Sequence, residues 1–348
     1  GGAAYAVVTA LLLAEVNLNT MCDLGGGGVS IVSMASRTLG KTGTRVASGA
    51  YLFLHYCLLV AYISKAGESL DGMAGLPQWL GSLSFAGILG AMCYFSSTIV
   101  LDRINGTLFA GVLVSFGVLT SAAIFEVDPA ALAKANWEEI PGTLPVIALA
   151  FVFQNVVPVI VTNLEGDVNK VRQAIVLGTL LPFGMFLAWE AAVLGNTGSI
   201  PAGADPVQAL QLAKPSLALA VDAFSFLAVA TSFIGFVLGL SDFLADAMQL
   251  RSGKQQPVPY LITLVPPYFL AMLFPGVFFS ALDAAGTYGV LVLFGLMPAW
   301  MVWQERYGDA LPPAADIRVV PGGKLMLVGV GGLASLVILH SLVDSLSK

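Results

Sequence analysis

Long apolar stretches alternate with short polar connectors along almost the whole chain. A helix rises 1.5 Å per residue, so about 20 apolar residues cross a hydrocarbon core. Ten such stretches stand near residues 3–22, 46–65, 82–101, 107–125, 144–164, 174–194, 217–243, 259–281, 286–303 and 325–345. Each is far longer than the tilted strands of an outer-membrane barrel, which argues against that class. The pattern predicts an all-α polytopic membrane protein, with residues 1–348 forming a single transmembrane domain.

One stretch departs from the pattern. LPVIALAFVFQNVVPVIVTNL, residues 144–164, is long enough to cross a bilayer, yet Gln154, Asn155 and Pro158 interrupt it near its middle. Within hydrocarbon every backbone N–H and C=O must be paired, so a broken helix is tolerated only beside a cavity or buried in protein. Pro158 has no amide hydrogen and crowds the carbonyl of Gln154, while the Gln154 and Asn155 side chains bring donors and acceptors to the same place. Interrupted spans of this kind build substrate sites in secondary transporters. A plain proline kink is the other reading, and this segment alone leaves both open.

Charge placement adds an orientation. The chain is 57% hydrophobic and 10% charged, with a formal net charge of −6 and mean hydropathy +0.87. With the 23–45 loop on the cytoplasmic or equivalent side, alternation across ten spans puts every Lys and Arg inside except Lys65, Lys134, Lys214 and Lys348. That asymmetry follows the positive-inside bias and supports the count of ten, because one missed span would scramble it. The opposite loops carry Glu68, Asp71, Glu126, Asp128, Glu138 and Glu139 and are acidic. Trp79 and Trp137 near one boundary, and Trp300 and Trp303 near the other, fit aromatic belts. Residues 29–40, VSIVSMASRTLG, suit a short interfacial helix. The loops 126–142 and 195–216, punctuated by Pro and Gly, read either as external gates or as solvated connectors.

Chemistry in the enzymatic sense is missing from the sequence. Cys22, Cys57 and Cys93 show no CxxC spacing, His55 and His340 are isolated, and no HExxH, GxSxG or Walker-type loop is present. Gly25 to Gly28 read as a flexible connector. No metal, no cofactor and no nucleic-acid partner is expected, and the chain is not expected to be an enzyme.

Ionisable groups inside spans are costly and therefore informative. Glu15 lies toward the inner end of the first span and Glu190 toward the outer end of the sixth. Each reads as a proton carrier or as a hydrogen-bonded carboxyl tying helices together. Thr231 and Ser232, near the midplane of the seventh span, can coordinate a cation or return their protons to carbonyls one turn back. Tyr56 and Phe224 offer π faces to a ligand or to the core.

The stretches LLLAEVN (11–17), AYISKAGESL (61–70), IPGTLPVIALAFVFQNVVPVIVTNLEGDVNKVRQAIVLGTLLP (140–182), DAFSFLAVATSFIGFVLGLSDFLAD (222–246) and LVPPYFLAMLFP (264–275) together resemble the aromatic amino acid permeases of the tyrosine and tryptophan type, including their plant and algal branch. The resemblance implies the inverted five-helix-repeat transporter fold of the amino acid, polyamine and organocation superfamily. On it, the ten spans correspond to the second through eleventh family helices. Residues 3–125 are then the remainder of the first repeat, 144–303 the second repeat and 325–345 an additional C-terminal span. The first family helix, with its Gly-rich break, has no counterpart in Gly1 to Leu24. The chain, which opens without an initiator Met, is expected to be truncated there and to need that segment for transport.

By the same resemblance Phe153, Gln154, Asn155, Val156 and Pro158 bind the substrate's polar end, and Tyr56 and Phe224 wall its side chain. Thr231 and Ser232 resemble a coupling-ion hydroxyl pair, with Glu190 and Glu15 as further coupling candidates. The implied function is symport of an aromatic amino acid with a proton, sodium being the less favoured ion, in a lipid bilayer. Transport of another neutral amino acid, or a non-transporting sensor or structural role, stands as the alternative. The expected location is a plastid (chloroplast) inner envelope or a plasma membrane.

Overall fold

A computed structural model describes residues 1–24, 29–124, 127–132, 140–197, 215–250, 256–274, 276–308 and 317–347. Trp137 and most of the two loops considered as gates lie outside the described residues. Every regular element among the described residues is helical. In chain order they are α1 (Gly2–Leu24), α2 (Ile31–Ala74), α3 (Gln78–Phe95), α4 (Thr98–Ile124), a single turn at Pro129–Leu132, α5 (Ile140–Ala150), α6 (Val157–Asn163), α7 (Val168–Thr197), α8 (Ala218–Ala247), α9 (Pro257–Leu273), α10 (Phe278–Ala284), a π-helical run Ala285–Leu296, α11 (Met297–Tyr307) and α12 (Lys324–Ser347).

Eight of the helical runs are long and apolar enough to cross a membrane: α1, α2, α4, the α5–α6 pair, α7, α8, the continuous run Phe278–Tyr307 and α12. The other two apolar stretches fall on α3, of 18 residues, and on α9, of 17.

Local chemistry fixes the ends and bends. At the start of α2, Ser30 and Ser33 cap one another: the Ser33 hydroxyl accepts the Ser30 amide at 2.8 Å and the Ser30 hydroxyl accepts the Ser33 amide at 3.1 Å. This satisfies amides that a helix start leaves open. Gly40, with φ of 62°, then redirects the chain, separating the predicted interfacial segment from the long apolar helix that follows. Only glycine takes that left-handed conformation without steric cost.

The chain divides into two compact units. One comprises Gly1–Leu54, Asn136–Gly184 and Asp283–Lys348. Its interior is built from α1, whose Ala10, Leu12, Leu13 and Ala14 are fully buried, and from the π-helical run. Leu291 of that run packs with Ala334 and Val337 of α12, flanked by Tyr5 and Leu144. Backbones approach closely here: a methyl on Gly286 would stand 2.2 Å from the Pro145 carbonyl oxygen, and one on Gly289 2.8 Å from Leu54 Cβ.

The second unit comprises His55–Ala135 and Met185–Leu282. Its core is aromatic. Phe85 of α3 packs edge-on against Phe226 at 5.8 Å and in a tilted arrangement against Phe233 at 4.9 Å, both on α8. Leu119 of α4, Val193 of α7 and Val221 of α8 form a separate buried cluster.

Candidate functional site at the helix break

The interruption in the fifth apolar stretch is a break, not a kink in a continuous helix. α5 ends at Ala150, Val152 turns back to bond the Leu149 carbonyl at 3.1 Å, and Phe153 leaves the helical region with φ of −134° and ψ of 2°. One 3₁₀ turn, Gln154–Val156, follows, and α6 begins at Val157. Pro158 occupies the first turn of α6, where an amide would have no intrahelical partner, so its missing N–H costs nothing. The proline thus starts the second half-helix. Among the described residues, the amides of Gln154 and Asn155 and the carbonyls of Ala148, Ala150 and Val152 have no hydrogen-bond partner. These are the groups that a polar ligand can satisfy, donors and acceptors within a few residues of one another.

Neighbouring polar side chains take opposite roles. Gln154 is 3% exposed and folds back. Its Oε1 accepts the Phe153 amide at 2.9 Å, and its Nε2 donates to Thr9 Oγ1 of α1 at 3.1 Å. Thr9 in turn donates to the Ala6 carbonyl at 3.1 Å. Gln154 therefore pins the break to α1. Asn155 and Val156 are exposed, and the Asn155 carboxamide makes no hydrogen bond among the described residues. An apolar cavity of about 190 Å³ adjoins the break, with Tyr5, Leu144, Ile147, Gln154, Phe294 and Val337 in its walls.

α6 closes with Glu165 and Gly166 in left-handed backbone, φ of 52° and 73°, and the Gly166 amide bonds the Val161 carbonyl at 3.0 Å. Asp167 then caps α7, accepting the Asn169 and Lys170 amides at 3.0 and 3.1 Å. The Lys170 amide, above all, holds the Asp167 carboxyl below its ordinary range.

α1 carries two features that its apolar pattern conceals. Asn17 is fully buried, and among the described residues neither its Oδ1 nor its Nδ2 has a partner. It lies two turns from Thr9 and next to Leu18, which reaches Gly166 at the end of α6. Glu15, a coupling-ion candidate by sequence, is held by Arg306 of α11 and by the amides of Val319 and Val320 at 2.7 and 3.3 Å. Beside it, Arg37 bridges Asp23 and Glu305, and Asn19 donates to Glu305 at 3.2 Å. The sequence placed Glu15 and Arg306 toward the same side, which was the available signal. Which carboxylate met which guanidinium depended on packing.

The remaining predicted residues belong to the second unit. Tyr56 donates its hydroxyl to the Ile262 carbonyl of α9 at 2.9 Å. Phe224 stacks on Trp189 at 5.4 Å and on Phe116 at 6.2 Å. Thr231 returns its proton to the Ala228 carbonyl at 2.9 Å, while Ser232 lies beside the Tyr62 hydroxyl. Glu190 is exposed on α7.

Comparison with known proteins gives this geometry a context. The sequence model of the tryptophan/tyrosine permease family matches residues 2–340. The chain is 30% identical to the tryptophan-specific transport protein of Pseudomonas aeruginosa over 334 residues, 88% of this chain and 78% of that protein. It is 28% identical to tyrosine-specific transport system 1 of Haemophilus influenzae, covering 92% of this chain and 82% of that protein. A third relative, glutamine transporter 2 of Aliivibrio fischeri, is 26% identical over 94% of this chain and 84% of its own length. A chain of apolar helices with a broken span, matched over nearly its whole length, is a multi-pass integral membrane protein and belongs to the tryptophan/tyrosine permease family, a family of transporters and not of enzymes.

Proposed function

We propose that the protein is a secondary active transporter of an aromatic amino acid, tyrosine or tryptophan, which moves it by alternating access with a proton as the coupling ion. The observation that carries this reading is the break at residues 151–156. It places unpaired amides and carbonyls and the open Asn155 carboxamide within an otherwise apolar span. Free amides match a substrate carboxylate and free carbonyls an ammonium group, so one break can hold an amino acid's zwitterionic end. Phe153, Asn155 and Val156 are the contact residues, and Gln154 and Pro158 shape the break. Thr231, Ser232, Glu190 and Glu15 remain coupling candidates.

The inverted-repeat, ten-span architecture belongs to the same proposal. It is supported by the way the two units interleave. The segments 1–54 and 136–184 go to one unit, and the segments that follow each of them go to the other. This is the division that two successive repeats of like design would make. The names of the Pseudomonas and Haemophilus relatives favour tryptophan or tyrosine as substrate. The Aliivibrio relative, named for glutamine, favours a second reading in which another neutral amino acid is carried.

Uptake of labelled tryptophan, tyrosine and glutamine into liposomes containing the purified protein, with and without a pH gradient, tests the proposal. Saturable uptake of an aromatic amino acid, enhanced by the gradient, is expected. No uptake of any amino acid would sink it.

A further inference from the structure

We infer that the protein holds an anionic phospholipid on the side that charge placement assigns as inner, with the lipid phosphate at Arg172 and Arg318 and an acyl chain along α7. The place is an open groove of about 630 Å³, walled by Leu11 of α1, Arg172 of α7 and residues 318–322, the link between α11 and α12. All of these belong to one compact unit. The transport reading does not require this groove, and the two stand independently.

Packing fixes the walls of the groove. Glu15 accepts the Val319 and Val320 amides, and Arg306 donates to the Val320 and Gly322 carbonyls, so the link is clamped onto α1 and α11. Arg172 donates from Nη2 to the Val319 carbonyl at 2.7 Å, which sets where its guanidinium stands. Val319 and Val320 are buried by these contacts, whereas Arg172 and Arg318 are exposed.

The chemistry of the walls selects an anion. A guanidinium presents five donors in a rigid fork that matches phosphate oxygens, and Arg172 uses one of them on Val319. Arg318 makes a further interaction of its own, and Arg172 is therefore the principal ligand. Among the described residues no carboxylate lines the groove, so a choline or ammonium headgroup finds no counter-charge there. Asp167, at the start of α7, is paired with Lys170 at 3.3 Å. Basic pockets between spans on the inner side suit headgroups of net negative charge.

The rest of α7 favours a lipid over a soluble phosphate. Val176, Leu180 and Phe183 follow Arg172 at intervals of four, eight and eleven residues, the spacing of one helix face. Leu180 is 55% and Phe183 37% exposed, on a helix long and apolar enough to cross a membrane. An acyl chain tethered to the bound phosphate lies along this stripe, and a free anion gains nothing from it.

Native mass spectrometry of the full chain in detergent tests the inference, with phosphatidylglycerol and phosphatidylcholine of identical acyl chains as probes. The wild type is expected to hold phosphatidylglycerol about tenfold more tightly. Equal affinities for the two lipids overturn the inference whatever the variants do. Arg172→Gln is expected to weaken phosphatidylglycerol about fivefold and to leave phosphatidylcholine unchanged, with Arg172→Lys between it and the wild type. Because Arg172 also holds the Val319 carbonyl, the readout is the ratio of the two affinities within each variant, which a general loss of folding does not lower selectively. Arg318→Gln is expected to lower the same ratio. Lys170→Gln removes a cation from another face of α7 and is expected to leave the ratio as it is. A fall equal to that of Arg172→Gln would assign the preference to diffuse surface charge and overturn the site. Displacement of phosphatidylglycerol by an equal concentration of glycerol phosphate would overturn the lipid assignment in favour of a soluble anion.

Discussion

Both carboxylate oxygens of Glu15 are engaged by Arg306, Oε1 by Nε at 2.6 Å and Oε2 by a terminal nitrogen at 2.7 Å, with the two side chains 1% and 3% exposed. The remaining donors of Arg306 reach the Val320 and Gly322 carbonyls, each at 2.8 Å. A buried pair with this many additional hydrogen bonds tolerates the cost of desolvation, but neither partner tolerates the loss of the other. Arg306→Ala is expected to lower stability by about 3–5 kcal/mol by stranding the Glu15 carboxylate. Arg306→Lys keeps the charge but loses the fork and falls between. Lys170→Ala, which removes an exposed ion pair with Asp167, is expected to leave stability essentially unchanged. Thermal unfolding of the purified variants in detergent checks all three; equal losses for Arg306→Ala and Lys170→Ala would refute the distinction.

Gln154 and Asn155 are adjacent amides with opposite assignments. Gln154→Leu removes the bonds to Phe153 and Thr9, and is expected to cost about 1–3 kcal/mol of stability by leaving the Phe153 amide unpaired. Asn155→Ala breaks no bond in the resting protein and is expected to leave stability within about 0.5 kcal/mol while weakening amino acid binding. The pair of measurements is thermal unfolding alone and with added tryptophan or tyrosine. If Asn155→Ala binds and transports as the wild type does, the open carboxamide is not a ligand group.

Much of the helical framework was legible because each apolar run exceeds what a soluble core helix needs, and the break was legible because Pro158 follows two amide side chains inside such a run. The division of labour between Gln154 and Asn155 was not. Successive helical residues point about 100° apart, and two neighbouring amides give no hint of which one faces α1. The Glu15 pairing was hidden for another reason, since its partner lies 291 residues away and only packing brings them together. The π-helical run Ala285–Leu296 was read as an ordinary span because a wholly apolar sequence has no polar face to reveal its period. For Thr231 both readings were open from sequence, and the structure shows back-bonding. For Tyr56 both a ligand wall and core packing were open from sequence, and its hydroxyl donates to the Ile262 carbonyl of α9.

Asn17 tests whether α1 carries a functional cost. A fully buried carboxamide with neither atom paired destabilises the fold that holds it. Asn17→Leu, which keeps the number of side-chain heavy atoms and removes the polar ones, is therefore expected to raise stability by about 1–3 kcal/mol. If the unpaired group serves the transport cycle, the same variant transports more slowly despite its greater stability. Thermal unfolding and initial uptake rates, measured on one preparation, decide the matter. A loss of stability in Asn17→Leu would overturn the expected gain, and an unchanged uptake rate would remove the carboxamide from the cycle.

Gly286 is expected to be among the least replaceable residues of the π-helical run. A methyl there would stand 2.2 Å from the Pro145 carbonyl oxygen of α5, and the obstacle is backbone on both sides, so no side chain can turn away to make room. Overpacking of this kind costs about 1–3 kcal/mol or forces the elements apart. Because α5 is the half-helix that leads into the break, displacement of Pro145 is also expected to disturb the unpaired carbonyls at Ala148 and Ala150, lowering amino acid affinity in Gly286→Ala. Gly329 of α12 supplies the contrast. Its added methyl meets nothing within 4 Å, and its backbone is helical, so Gly329→Ala is expected to gain about 0.5–1 kcal/mol from reduced chain entropy with affinity unchanged. Parallel unfolding and binding measurements on the two variants check this; equal affinities would mean that the close contact at Pro145 does not govern the geometry of the break.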